Sequence, residues 1–194
     1  MKTYEQGKFL GKILRTTLAL LVAMGVLAFP RTAPADTARE IDRDVSIALQ
    51  KLYKTTPAAK KLGKIAKGVL VFPKIIKGGL IVGGEYGEGA LRVNGKTTGY
   101  YRAVSASYGL QAGAQSYGYA LFFVDEKGLE YLKKSEGWEI GSQPELVVVD
   151  KGVARSLTTT TAQSGIYAFF FDQKGLMASL SIEGSKIFEF TPGK

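Results

Sequence analysis

The chain has 194 residues, 45% of them hydrophobic and 22% charged, with 26 lysines and arginines against 17 aspartates and glutamates. That is enough apolar material for one ordinary core, and it excludes wholesale disorder. Neither His nor Cys occurs, which excludes Ser-His-Asp and Cys-His nucleophiles, Cys/His zinc sites and disulfides. A metal would have to be held by oxygen ligands alone.

The N-terminus reads as a leader. Lys2, Lys8, Lys12 and Arg15 precede an uncharged apolar run of 14 residues, Thr16 to Phe29. That run is shorter than the roughly 20 residues that span a bilayer, and it suits the apolar region of a secretory signal. Ala33-Pro34-Ala35 puts small residues where a signal peptidase reads, so cleavage is expected before Asp36. No Cys follows the run, which excludes a lipoprotein anchor, and no Arg-Arg pair precedes it, which favours the general secretory route. An uncleaved membrane anchor is the alternative. The expected organisation is a signal peptide, residues 1–35, and one domain, residues 36–194, exported to the periplasm or cell envelope.

Charge is uneven along that domain. Residues 1–35 hold five basic residues and one acidic, so the remainder carries 21 positive and 16 negative charges, net +5. Between Val45 and Gly84 there are eight lysines and no acid, whereas Glu85 to the end has 11 basic and 12 acidic residues. The excess therefore sits in one window.

In chain order, Asp36 or Thr37 caps a helix with Ile41, Val45, Ala48, Leu49 and Leu52 on its apolar side. Thr56 as N-cap and Pro57 at the first position start a second helix that should run to Gly68. In it Ala58, Leu62, Ile65 and Ala66 share one side, and Lys60, Lys64 and Lys67, with Lys61 beside them, share the other. A strand, Val69 to Phe72, precedes Pro73, and Lys74 and Lys77 bracket Ile75-Ile76. Gly78 to Val93 and Lys96 to Val104 form a hairpin about Asn94-Gly95. Ser105 to Val124 is again strand-like, Lys127 to Lys134 is a short helix, and Glu145–Asp150, Val153–Thr161, Gly165–Phe171 and Leu176–Ile182 read as strands. The fold class is α+β, with short N-terminal helices and a glycine-rich, mainly antiparallel sheet curled into a sandwich or partial barrel. Phe122 to Leu129 resembles Phe169 to Leu176; a duplicated strand-turn unit is one reading, and turn chemistry favours the other, two independent aromatic strands ending in Asp/Lys/Gly turns.

No catalytic constellation emerges. Glu85 and Glu88 stand three residues apart in a strand and so face opposite sides, which suits structural carboxylates better than an acid/base pair. Thr158 to Thr161 has no activating base, and no phosphate-loop motif is present. The positive signal is the lysine cluster. Anionic headgroups attract such a surface by about 1 kcal/mol per nearby Lys or Arg, and a basic amphipathic helix would lie against a membrane. The bland counterpart is a helix docked on the sheet through Leu62 and Ile65 with its lysines solvated. Nucleic acid would use the same electrostatics, but export argues against it.

The motifs Lys67-Gly-Val-Leu-Val-Phe-Pro73, Lys77-Gly-Gly79, Gly83-Gly-Glu-Tyr-Gly-Glu-Gly-Ala-Leu91, Tyr100-Tyr101, Ser107-Tyr-Gly-Leu-Gln-Ala-Gly-Ala-Gln115, Gly137-Trp138 and Lys174-Gly-Leu176 closely resemble the SYLF domain family. The resemblance runs from about Ile41 to Phe190. It implies a lipid-binding module associated with phosphoinositides and acidic membranes, with actin-related and endocytic roles in eukaryotic members beside SH3 or FYVE domains. With the leader, it implies a bacterial, exported, stand-alone member, for which phosphatidylglycerol, cardiolipin or lipopolysaccharide phosphates are the expected ligands.

The sequence thus leads to a non-enzymatic, exported lipid-binding protein that needs no cofactor. Its expected headgroup contacts are Lys60, Lys61, Lys64, Lys67, Lys74 and Lys77, of which the first three rest on helical spacing alone. The alternative is a cell-envelope scaffold that binds a protein partner through its β surface; an enzyme is the third reading.

Overall fold

Thr37 and Glu40 fix the first element. In the computed structural model, which describes residues 36–79, 82–108, 113–134, 137–140, 146–150, 154, 157, 162, 164–174 and 184–193, the Thr37 hydroxyl accepts the Glu40 N–H at 3.3 Å. The Glu40 carboxylate accepts the Thr37 N–H in return, at 2.9 Å. This reciprocal cap satisfies two amides that a helix start otherwise leaves unpaired, and it opens α1 (Ala38–Thr55). Ile41, Val45, Ala48 and Leu52 are buried on one stripe, as their spacing predicts.

The second helix, α2 (Pro57–Leu62), is only six residues long, shorter than the run to Gly68 that the sequence predicts. Gly63 ends it, in a place where Tyr53 of α1 lies so close that a Cβ would fall 2.4 Å from the phenol oxygen. The chain turns through Lys64 and Ile65, bonding back to Lys61 and Leu62, and enters the sheet.

The strands are β1 (Gly68–Gly79), β2 (Val82–Val93), β3 (Lys96–Tyr108), β4 (Gly113–Phe123), β5 (Trp138–Glu139), β6 (Leu146–Val148), β7 (Ile166–Lys174) and β8 (Lys186–Phe190), with α3 (Glu126–Lys134) between β4 and β5. They form one sheet in the order β5-β8-β3-β2-β1-β4-β7-β6, antiparallel except for the β6–β7 pair and curled into a half-barrel. The α+β reading with a partial barrel is correct. Asn94 and Gly95 both take positive φ, 51° and 77°, as a two-residue hairpin requires. The expected long strand from Ser105 is two strands, β3 and β4. The strand expected over Leu176–Ile182 lies outside the described residues, as does most of Val153–Thr161, where Ala154 is helical instead. The short strands β5 and β8 were not anticipated. The similar segments at Phe122 and Phe169 are neighbours in the sheet: β4 and β7 pair, and the two rings meet edge-on at 5.2 Å. One segment leads into a helix and the other continues as a strand.

Alternation sorts the side chains into two cores. The inner face carries Leu70, Phe72, Ile75, Leu91, Tyr101, Tyr117, Tyr119, Leu121 and Phe123, closed by Leu129 and Leu132 of α3 and by Trp138. The outer face carries Val69, Val71, Ala90, Ala120, Phe122 and Phe169, covered by α1 and α2.

A bulge breaks the alternation of β1. Phe72 pairs with Tyr119 and Ile75 with Tyr117, so β1 spends three residues where β4 spends two. Pro73, which has no N–H to give a ladder, sits inside the irregularity. Beyond it Ile75 and Lys77 point inward and Ile76 points to solvent, 52% exposed. Glycines of β2 make room: a Cβ on Gly89 would fall 2.1 Å from the Val71 carbonyl oxygen, and one on Gly87 2.6 Å from that of Lys74. Gly78, by contrast, has nothing within 4 Å of its Cβ direction. Gly89→Ala should therefore destabilise the domain by about 3 kcal/mol, lowering its melting temperature by roughly 6–12 °C. Gly78→Ala should change it by under about 1 kcal/mol; thermal unfolding of both variants checks the contrast.

Candidate functional site

Lys60 and Lys61 project from α2, Lys64 stands in the turn after it, and Lys67 immediately precedes β1; all four are exposed. They form one local group, broken off the single helical face that the sequence predicts because the helix stops at Leu62. The apolar side of α2 is not available to a bilayer: Ala58, Ala59 and Leu62 are buried against the sheet. Among the described residues no carboxylate pairs with Lys60, Lys61, Lys64 or Lys74. Lys67 has only Glu126, 4.0 Å away with both side chains exposed, a contact worth little in water.

Lys74 and Lys77 do not join that group. Lys74 is exposed in the bulge, roughly 20 Å from Lys67 at the rise of an extended strand, and its neighbour is the exposed Ile76. Lys77 departs from the expected set altogether. The bulge turns it inward, where it is 17% exposed and its Nζ lies 2.6 Å from Oε1 of Glu85. Its cross-strand partner in the ladder is that same Glu85.

Glu85 is the centre of a buried polar cluster that sequence reasoning missed. Its second oxygen accepts the Tyr117 hydroxyl at 2.7 Å, and its side chain is 7% exposed. Burial, then the Glu85 hydrogen bond and charge, push the Tyr117 phenol far above its ordinary range. Tyr119, fully buried next along the inner face and with no hydrogen-bond partner for its hydroxyl among the described residues, is raised by burial as well. Tyr101 is pushed up to about 12 by burial and then by Glu189. The signal that could have located the cluster is the Pro73 bulge, whose effect on parity brings Lys77 and Glu85 face to face.

Glu88, three residues on, faces the other way as expected. Arg102 donates to its Oε1 through Nη2 at 2.7 Å and Nε at 3.2 Å, and the Tyr86 hydroxyl donates to the same oxygen at 2.5 Å. The guanidinium lies 4.2 Å from the centre of the Phe190 ring. Both glutamates are thus occupied on both oxygens or nearly so, which leaves neither as a free base.

A cavity of about 480 Å³ opens elsewhere, between the α1–α2 junction and the β6–β7 edge, lined by Thr56, Val148, Val149, Ala154, Phe169 and Phe170 with Asp150 and Gln173. Lys51 reaches its neighbourhood through an ion pair with Asp172.

Residues 104–191, from the middle of β3 to just past β8, match the Ysc84 family, described as Las17-binding protein actin regulator. That match is consistent with the SYLF domain family. No curated protein matches the chain. The matched segment holds Arg102's neighbours on β3, the inner aromatics of β4 and β7, α3 and β8; the lysines from Lys60 to Lys77 lie before it.

Two outcomes follow from this geometry. Lys77→Met should cost about 3–5 kcal/mol by stranding a buried carboxylate, Glu85→Gln in the same chain should restore most of that, and Lys74→Met should be neutral; urea unfolding of the three variants measures the cycle. In alkali, Tyr101, Tyr117 and Tyr119 should stay protonated in the native domain at pH 11. Because their folded pKa values are raised, the unfolded phenols ionise first, from about pH 10, and stability falls as pH rises beyond that point. Tyrosinate absorbance in native and denatured protein counts them.

Proposed function

We propose that this SYLF domain is an exported, non-enzymatic module that binds anionic lipid surfaces peripherally, through the headgroups. The observation that carries the reading is the acid-free window from Val45 to Gly84, whose lysines at positions 60, 61, 64, 67 and 74 stand in solvent. The leader supports export, and the engagement of Glu85 and Glu88 supports a role without chemistry. Because the apolar side of α2 is spent on the sheet, attachment is electrostatic, with Ile76 beside Lys74 as the apolar contact. Lys77 serves the fold.

A second reading has its own observation. The family description names a protein partner, and Ile76 and Tyr86, cross-strand neighbours on the outer face, are 52% and 45% exposed. A protein could dock there without the lysines.

Co-sedimentation of residues 36–194 with vesicles of neutral or phosphatidylglycerol-containing lipid separates the two. Binding should be selective for the anionic vesicles and should weaken as salt rises, since screening at physiological strength acts within about 8 Å. Replacing Lys60, Lys61, Lys64 and Lys67 by Gln should weaken it by roughly a hundredfold or more, at about 1 kcal/mol per lysine. Absence of binding to every vesicle would sink the lipid reading and leave the Ile76–Tyr86 surface as the site to test.

A further inference from the structure

We propose that removal of the leader creates an ion pair that locks the start of the domain onto its sheet: hydrolysis of the Ala35–Asp36 bond leaves an α-ammonium group on Asp36 seated against the Glu88 carboxylate. The inference rests on the export reading above. It goes beyond that reading by giving the cleavage a structural consequence.

The geometry is already in place. The compact unit begins at Asp36, and the Asp36 nitrogen donates to Oε2 of Glu88 at 3.2 Å. Oε1 is taken by Arg102 and Tyr86, so Oε2 is the oxygen turned to the chain start. The Glu88 side chain is 5% exposed, although the contact with Asp36 lies at the surface. The nitrogen cannot drift, because Thr37 is held by the cap with Glu40 and by a bridge to Gly193. Arg102 already holds the other oxygen of Glu88, but acidic groups predominate around the chain start. The Asp36 carboxyl is raised by burial first, then by Glu88, Glu40 and Asp44, with Arg43 alone opposing. Hydrolysis by a signal peptidase adds one water across the amide. Ala35 leaves as a carboxylate with the leader, and the released amine takes up a proton where acidic groups outnumber basic ones.

The test compares residues 36–194 carrying a free α-amine with the same chain acetylated at Asp36, which keeps the N–H and removes the charge. At pH 6.5 the free-amine form should melt about 2–4 °C higher, and Glu88→Gln should erase the difference. The groups facing the amine are Glu88 and Tyr86 of β2, Arg102 of β3, and Asp36, Glu40, Arg43 and Asp44 on its own segment. Tyr86, pushed up to about 12 by burial and then by Glu88, keeps its proton throughout. An amine ordinarily loses its proton near pH 8; an ion pair with Glu88 would raise that value, so the advantage should be full below pH 8 and lost as pH rises above it. This pH profile in the unsubstituted chain is decisive even if Glu88→Gln fails to fold. Equal melting of the two forms at pH 6.5, or an advantage unchanged at high pH, overturns the proposal. N-terminal sequencing of the protein recovered from an expressing bacterium tests export separately: a start other than Asp36 overturns cleavage at this bond, whatever the melting data show.

Discussion

Adding one residue to one strand of an antiparallel pair reverses which side chains face the core from that point on. In this domain the addition falls between Phe72 and Ile75, in the middle of the chain's most basic segment. Everything beyond it on β1 inherits the change. Lys77 becomes an interior residue and must find a carboxylate, Ile76 becomes an exterior one, and Gly87 and Gly89 must be bare to let the displaced backbone through. The half-barrel is therefore apolar along the part lined by Leu70, Leu91 and Phe123 and polar at Lys77, Glu85 and Tyr117. A buried ion pair of this kind adds little net stability over an apolar pair, yet losing one partner is costly. That asymmetry holds the bulge in place as firmly as the bulge holds the pair.

The outer face follows a different logic. There the sheet is covered by α1 and by a very short α2, and the lysines of α2 are left over after its apolar side has been used. Their charge is concentrated because the same forty residues contain no acid, not because a long helix aligns them. A surface of this sort acts through its summed potential, so its contribution depends on ionic strength and on the number of lysines more than on any one geometry.

Much of this was legible in the sequence because the signals were local. The cap at Thr37, the helix start at Pro57, the Asn94-Gly95 turn, the amphipathic stripe from Ile41 to Leu52 and the opposed faces of Glu85 and Glu88 each depend on residues a few positions apart. What was not legible depends on residues far apart. α2 stops at Gly63 rather than at Gly68, and the close approach of Tyr53 that leaves no room for a side chain there is a contact between two helices. The partnership of Lys77 with Glu85 needs the parity change at Pro73 and the register of two strands together. β8 is a strand because β3 offers it an edge about 90 residues earlier in the chain, and nothing in its five residues announces that. The charge-based site was visible at the level of composition, but its division into an α2 group, a lone Lys74 and an interior Lys77 was not.

The strand order has a kinetic meaning. β1 lies at the middle of the sheet, yet its partner β4 is made some fifty residues later, and β3 must wait for β8 at the far end of the chain. Pairings so distant in sequence carry a large loop-closure cost before they return any stability, and such topologies fold slowly. The early hairpin of β2 and β3 forms from neighbouring residues, but the half-barrel is incomplete until the last residues are free to pair. A chain with this wiring leaves the edge of β3 open until β8 is free to pair with it, and completes its sheet only afterwards.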